Sequence, residues 1–291
     1  MTDGIVTIRS TLLQARATID AVDARILLGH ALQVGNAHLA THPDRPLTAD
    51  EAARFLALAE RRRNGEPVAY LTGTREFYGR EFAVTPDVLI PRPETELLVE
   101  LALEHLPTGA PRTVLDLGTG SGAIALSIAC ERPQATVYGV DAAPAALLLA
   151  RRNACRLMPK GCGSQPTFLL GHWYQPVADQ RFDLIVANPP YIDNADPHLQ
   201  QGDLRFEPRA ALTPGGNGLA ALAEIIAGAP RHLSEGGCLL CEHGYDQAQA
   251  VRLLFHAAGL HGAQTMDDLA GIPRVTIGHA TSFAKQKRGI A

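Results

Sequence analysis

The sequence predicts an α/β protein, a mostly parallel sheet with helices on both faces, preceded by a small helical domain. Three observations carry this. From residue 112 onward, short apolar runs such as Val114-Leu115-Asp116-Leu117 alternate with stretches of helical periodicity, the pattern of successive βα units. A glycine-rich turn, Asp116-Leu117-Gly118-Thr119-Gly120-Ser121-Gly122, joins the first of those runs to the next helix, as in Rossmann-like sheets. Residues 7–72, by contrast, are rich in Ala and Leu with little β-branched clustering, which predicts a bundle of short helices.

In chain order, Asp20 is placed to cap a helix with Val22, Ile26, Leu27 and Ala31 on one stripe, and Thr48 a helix with Ala52, Phe55, Leu56 and Ala59. The loop His42-Pro43-Asp44 separates them. Arg61-Arg62-Arg63 reads as a solvated helix face, and the bundle contains no cluster of catalytic residue types. It is therefore assigned to recognition of a partner or substrate, with structural support alone as the alternative. Residues 76–90 are aromatic and alternating around Gly79, a hairpin linking two domains. The run Ile90-Pro91-Arg92-Pro93-Glu94-Thr95-Glu96 opens a helix carrying Leu97, Leu98, Leu101, Leu103 and Leu106, with Pro93 suited to its first turn.

Strands are expected at 114–117, 135–140, 167–170, 183–187 and 236–242, with helices at 121–130, 144–157, 218–232 and 245–259. The segment 274–278 reads as a closing antiparallel strand, and 284–288 as a frayed tail. The expected domains are 1–75, a hairpin linker 76–90, and 91–291.

A chain of 291 residues fits about two domains. Its formal net charge of −4 argues against a partner gripped mainly through a phosphate backbone. Met1-Thr2-Asp3-Gly4 opens no signal peptide, and no apolar run approaches the roughly 18 residues that span a bilayer, so a cytoplasmic protein is expected. Cys130, Cys155, Cys162, Cys238 and Cys241 show no disulfide spacing and read as reduced thiols. Cys238 and Cys241 have a metal-like spacing, but on a strand an offset of three sends them to opposite faces, and no metal is expected.

Two stretches carry chemistry. Glycines at a strand-to-helix turn let a ligand approach the backbone closely, and Asp141 lies 21 residues beyond Gly120, where an acid can bind ribose hydroxyls. The spacing of Gly118, Gly120 and Ala123 suits a nicotinamide dinucleotide as well as S-adenosylmethionine. Asp116 tilts the choice, because a carboxylate repels a pyrophosphate and attracts a sulfonium. The second stretch, Asn188-Pro189-Pro190-Tyr191, must end the strand before it, since consecutive prolines cannot continue a ladder. It sets a polar amide on a stiff turn at the carboxyl edge of the sheet, where α/β proteins bind ligands.

The pairing of these two stretches resembles the amino-group methyltransferases. With Tyr70-Leu71-Thr72-Gly73, Glu76-Phe77, the 90–96 run and Arg205-Phe206-Glu207-Pro208-Arg209-Ala210-Ala211-Leu212, it resembles the HemK-type methyltransferases, which modify the Gly-Gly-Gln glutamine of peptide chain release factors. The resemblance runs from about residue 66 to 278. It implies a Rossmann-like class I S-adenosylmethionine-dependent methyltransferase sheet with a small N-terminal helical domain that recognises release factors. It also implies that Gly118, Thr119, Gly120, Ser121, Gly122, Asp141, Trp173 and Asn188 hold S-adenosyl-L-methionine, and that Asn188, Pro189, Pro190 and Tyr191 hold the glutamine. His172 stands where the family often has an acid, and Asn217 replaces a frequent Asp.

On this view the Asn188 oxygen and the Pro189 carbonyl each accept one N–H of the target amide while Tyr191 packs on its plane. Glu207, Arg209, Glu242 and His243 are expected either at the substrate mouth or in strand-end ion pairs. A monomer is expected, without membrane or direct nucleic-acid contact. The alternative is a DNA adenine-N6 methyltransferase, which would need a phosphate grip and a flipped base.

Overall fold

The computed structural model describes residues 6–158 and 163–281. The initial Met1-Thr2-Asp3-Gly4, Cys162 and the 284–288 tail lie outside the described residues. The chain forms two compact units: Met1–Thr74 together with Gln201–Phe206, and the remainder. Residues 201–206 thus belong with the first unit although their neighbours in sequence belong to the second.

In the first unit, α1 (Ile8–Ala15), α2 (Ala21–Leu32), α3 (Asn36–Thr41), α4 (Ala49–Arg63) and α5 (Val68–Thr72) enclose a core of Ile8, Leu27, Leu28, Leu39, Phe55 and Leu71. Asp20 caps α2 by accepting the Val22 N–H at 2.7 Å, and Thr48 with Glu51 forms a capping box on α4. The buried stripe of α2 differs from the expected one. Ala24, Leu27, Leu28 and Ala31 face inward, while Val22 and Ile26 are exposed, because the adjacent leucines bury more apolar area on the i, i+3, i+4, i+7 face. Leu56 of α4 is likewise exposed and Phe55 takes the core position.

The basic triplet is not a plain solvated face. Arg62 donates to Asp23 of α2 (2.7 Å) and to Asp203 (2.8 Å), Arg61 pairs with Glu66 and Arg63 with Glu60. Arg205 returns a hydrogen bond to the Asn64 carbonyl at 2.7 Å.

A hairpin of β1 (Thr74–Phe77) and β2 (Arg80–Ala83) turns through Tyr78 and Gly79, both at positive φ. In the second unit α6 (Glu96–Glu104) precedes β3 (Thr113–Leu117), α7 (Ala123–Glu131), β4 (Thr136–Asp141), α8 (Pro144–Leu157), β5 (Thr167–Leu170) and β6 (Phe182–Ala187). Then follow α9 (Arg209–Leu212), α10 (Ala220–His232), β7 (Leu233–Glu242), α11 (Ala248–Ala257), β8 (His261–Asp267) and β9 (Pro273–His279). The seven-stranded sheet has the order β5-β4-β3-β6-β7-β9-β8. β9 runs antiparallel between β7 and β8, and the other pairings are parallel.

Both faces of the sheet are covered, which is why its strands read as continuous apolar runs. Val114, Leu184, Val186 and Leu240 pack with α6, α7 and α8, whereas Leu115, Leu117, Ile185 and Leu239 pack with α10 and α11. Cys238 belongs to the first of these clusters and Cys241 to the second, so the two thiols straddle the sheet. Burial raises both, Cys238 to about 12, which leaves them uncharged. Among the described residues no helix is long and apolar enough to cross a membrane.

Candidate active site

β3 and β6 are neighbours in register, with Leu117 beside Ala187. Their carboxyl ends therefore deliver the glycine turn and the Asn188-Pro189-Pro190-Tyr191 turn side by side, where the strand order reverses. Gly118 and Gly120 both lie at positive φ, a conformation glycine adopts without steric cost. The N–H groups of Gly118 and Thr119 donate to the Val140 carbonyl at 2.9 and 3.0 Å. Asp141, ending β4, accepts the Gly120 N–H at 2.8 Å and the Ala143 N–H at 2.9 Å. The acid 21 residues from the loop is thus the brace that shapes it.

Asp116 does not face a ligand. It is fully buried beneath the turn, where its Oδ2 accepts from the Thr119 hydroxyl (2.7 Å) and the Ala125 N–H (3.2 Å). Burial pushes its carboxyl up to about 7 against those two hydrogen bonds. The expected attraction of its charge for a sulfonium is therefore replaced by a structural role: it ties the turn to the first turn of α7. Space for this comes from Gly139 on β4, level with Asp116. A Cβ there would stand 2.8 Å from both the Thr119 hydroxyl and the Phe168 ring.

Above the turn lies a cavity of about 610 Å³ lined by Gly118, Gly120, Asp141, Trp173, Asn188 and Pro190, with Val88, Val140, Ala143 and Ala146 as apolar walls. Thr119, Ser121 and Gly122 do not line it. Thr119 is turned to Asp116, the Ser121 carbonyl accepts from Asn153, and Gly122 takes a left-handed conformation that starts α7 at Ala123 rather than at 121. Trp173, at φ 43°, lies over Gly118, and its Nε1 is buried without a partner among the described residues. His172 sits 3.3 Å from Glu224.

In the second turn the Asn188 Nδ2 donates to the Thr95 hydroxyl at 3.0 Å, and Oδ1 has no hydrogen-bond partner among the described residues. Pro189 is buried and Pro190 reaches the cavity. Tyr191 is tethered inward: its hydroxyl donates to Glu242 at 3.1 Å, and its carbonyl accepts from Gln247 at 2.9 Å. A Cβ on Gly218 would come within 2.2 Å of that carbonyl, so Gly218 permits the close approach.

The four outer polar residues act in different places. Buried Glu207 accepts from Arg92 and from the Ile90 N–H (2.9 Å), pinning the 90–96 run. Arg209 donates to Asn194, and His243 is buried against Thr276. Burial raises the Glu242 carboxyl to about 7 against the hydrogen bond it accepts from Tyr191. Thr95, Gln247 and Gly218 were not singled out by sequence reasoning. Thr95 stood within the quoted 90–96 run, but its partner Asn188 lies 93 residues away in sequence.

An open glycine cradle, a braced carboxylate, an indole N–H without a partner and apolar walls fit a nucleoside with a ribose diol. A sheet of this order, bearing such a cavity beside an Asn-Pro-Pro-Tyr turn, defines the protein as a methyltransferase. In keeping with this, residues 95–218 match the methyltransferase small domain family, and residues 5–73 match the PrmC N-terminal domain.

A release factor glutamine methyltransferase from Burkholderia pseudomallei is 55% identical over 262 residues, covering 89% of this chain and 92% of that protein. One from Xylella fastidiosa is 53% identical, covering 94% of this chain and 98% of that protein. The chain belongs to the release factor glutamine methyltransferase family. A solved methyltransferase from Pyrococcus furiosus shares the fold, with a TM-score of 0.52 and 17% identity over 76% of this chain and 97% of that one.

Proposed function

We propose that this protein transfers a methyl group from S-adenosylmethionine to the side-chain amide nitrogen (N5) of the glutamine in the Gly-Gly-Gln motif of peptide chain release factors. The observation that carries this is the Asn188 amide, fixed at the cavity edge with its Nδ2 committed to Thr95. Its oxygen is left to accept from a planar NH₂. When bound, S-adenosylmethionine supplies an electrophilic methyl on a sulfonium.

Gly118 and Gly120 would admit the cofactor along their backbone, Asp141 would accept from its ribose hydroxyls, and Trp173 with Val140 would cover its apolar parts. A glutamine nitrogen is a poor nucleophile because its lone pair is delocalised into the carbonyl. The protein's contribution is therefore positioning. Asn188 Oδ1 and the Pro189 carbonyl each accept one N–H, aiming the nitrogen at the methyl, and the stiff Pro189-Pro190 backbone preorganises that acceptor. Because Tyr191 is tethered, the face it offers the substrate amide is held still. Methylated in this position, the amide nitrogen would shed its extra proton to water, and no residue of the chain need act as a base.

The segment 1–75 is assigned to release-factor recognition, 76–90 to a hairpin linker and 91–291 to catalysis. Exposed Val22 and Leu56 support the first assignment by giving a partner apolar surface. The net charge of −4 supports action without a direct nucleic-acid grip. A monomer in the cytoplasm, where release factors act, completes the proposal, and light scattering tests the oligomeric part.

The deciding experiment is mass spectrometry of a release factor and of duplex DNA after incubation with enzyme and cofactor. One added methyl on the Gly-Gly-Gln glutamine is expected. Methyl on the DNA, with none on the protein, would replace this function by the adenine alternative.

A further inference from the structure

The cavity runs across the carboxyl ends of four neighbouring strands, in the order β5-β4-β3-β6. Their registers set Leu170 of β5 beside Asp141, and Leu117 of β3 between Val140 and Ala187. The methyl group has to reach Asn188, which follows β6, while Asp141, which ends β4, takes the ribose hydroxyls. In S-adenosylmethionine the sulfonium and the adenine hang from opposite ends of the ribose. A cofactor with its sulfonium toward β6 and its ribose at β4 therefore carries its base onward to β5.

Two polar side chains meet at that end. His172 follows β5 and Glu224 lies on the second turn of α10; both line the cavity, and the imidazole Nδ1 stands 3.3 Å from the Glu224 carboxylate. Ala220, one helical turn before Glu224, lines the cavity too, so one flank of α10 faces the ligand space. The two side chains are 49% and 58% exposed, and an ion pair that open to water adds little to stability. The helix is held by its buried residues Leu222, Ile225 and Ile226 without it.

The other carboxylates of the cavity already hold hydrogen bonds. Asp141 accepts two backbone N–H groups, and Asp87 accepts from the Thr85 hydroxyl at 3.0 Å. Glu224 has His172 alone as a polar partner among the described residues. A carboxylate accepts from the 6-amino group of adenine and repels the 6-oxo group of hypoxanthine. Residue 172, where the resembling methyltransferases often have an acid, is His in this chain; the acid stands across the pair from it.

We infer that Glu224 selects adenine: its carboxylate accepts from the 6-amino group of the cofactor, and His172 is a positioning residue that holds the carboxylate at the β5 end of the cavity. The assignment rests on the cofactor placement proposed above and adds to it a contact with the base.

The test uses the full chain and measures, by calorimetry, dissociation constants for S-adenosylhomocysteine and S-inosylhomocysteine, which differ at position 6 of the base. The wild type should bind the adenosyl compound about 10- to 100-fold more tightly, the scale of one hydrogen bond to a charged group. Glu224→Gln keeps the shape, and its amide can turn to donate to the 6-oxo group, so the preference should fall below about threefold. His172→Ala should lose part of the preference. The double variant His172→Asp with Glu224→His exchanges the two members of the pair and should regain a preference of about tenfold.

A merely structural Glu224 would weaken both compounds together in Glu224→Gln and leave their ratio unchanged. Equal binding of the two compounds by the wild type, a wild-type ratio in Glu224→Gln, or no regained preference in the double variant each overturns the assignment. If the wild type prefers the adenosyl compound, loses that preference in Glu224→Gln and yet leaves release factor unmodified, the proposed function falls and the assignment stands. A wild type that binds neither compound overturns both.

Discussion

The two turns at the ends of β3 and β6 solve the same problem, holding a ligand at a sheet edge, in opposite ways. In the glycine turn the backbone faces the cavity and the side chains are put away: Thr119 is bound to Asp116, and Ser121 is buried. In the Asn188-Pro189-Pro190-Tyr191 turn the backbone is stiff, and a side chain faces the cavity under the control of Thr95. The first arrangement suits a ligand recognised by shape and hydrogen bonds over a broad surface. The second suits one atom that must be aimed. Cofactor affinity and turnover should therefore separate between them.

Asn188→Ala gives the largest effect. It should lower kcat about 100- to 1000-fold, the scale of losing one preorganised hydrogen-bonding group, while calorimetry finds the cofactor affinity within a few-fold of wild type. Equal losses in both would erase the contrast.

Asp141→Ala should do the reverse. Removing a carboxylate that braces Gly120 and faces the cavity should weaken cofactor binding about 10- to 100-fold, as expected for a charged hydrogen bond, with kcat at saturating cofactor much less changed.

Gly218→Ala probes the stiff turn from behind. A Cβ 2.2 Å from the Tyr191 carbonyl, at φ 78°, must displace that carbonyl or strain its own backbone, at a cost of about 1–3 kcal/mol. Turnover should fall about tenfold while S-adenosylmethionine binding holds; a loss of binding alone would misplace the contact.

The smallest effect concerns pH. Asp116 beneath one turn and Glu242 behind the other both have carboxyls raised to about 7 by burial. A raised acid binds its proton more tightly folded than unfolded, so its stabilising contribution is present at low pH and is lost as pH rises through about 7. Tm should therefore climb as the buffer is taken from pH 8.5 to 7, until His243 and His279, whose burial lowers them, begin to oppose it. Asp116→Asn should flatten the slope by removing one of the two acids.

Much of the fold was legible because both faces of the sheet are buried. Pro144–Leu157 and Thr167–Leu170 fall where the apolar pattern put them, since tertiary packing and local periodicity ask for the same residues. β8 escaped because His261–Asp267 is an edge strand with mostly exposed or half-buried positions, so no face imposes an apolar alternation. The strand β7 begins at Leu233, before the expected 236, across Gly236 and Gly237, residues that read locally as a turn.

At the site, Gly118, Gly120, Asp141, Trp173 and Asn188 do meet around one cavity. The depth of each group was hidden. Nothing adjacent to Asp116 in sequence tells whether it faces a ligand or lies under the turn, and Arg62 looked solvated because Asp203 lies 141 residues away.

Gly139 has a practical consequence for anyone who would transplant this cofactor turn into another sheet. The 116–122 segment is not a portable module. It needs a strand next door with a missing side chain level with the acid, and an aromatic ring on the strand beyond to fill the remaining gap. A graft that copied the loop and kept an alanine or valine at the position of Gly139 would lift Thr119 from Asp116. It would strand the carboxylate and lose the turn it was meant to import.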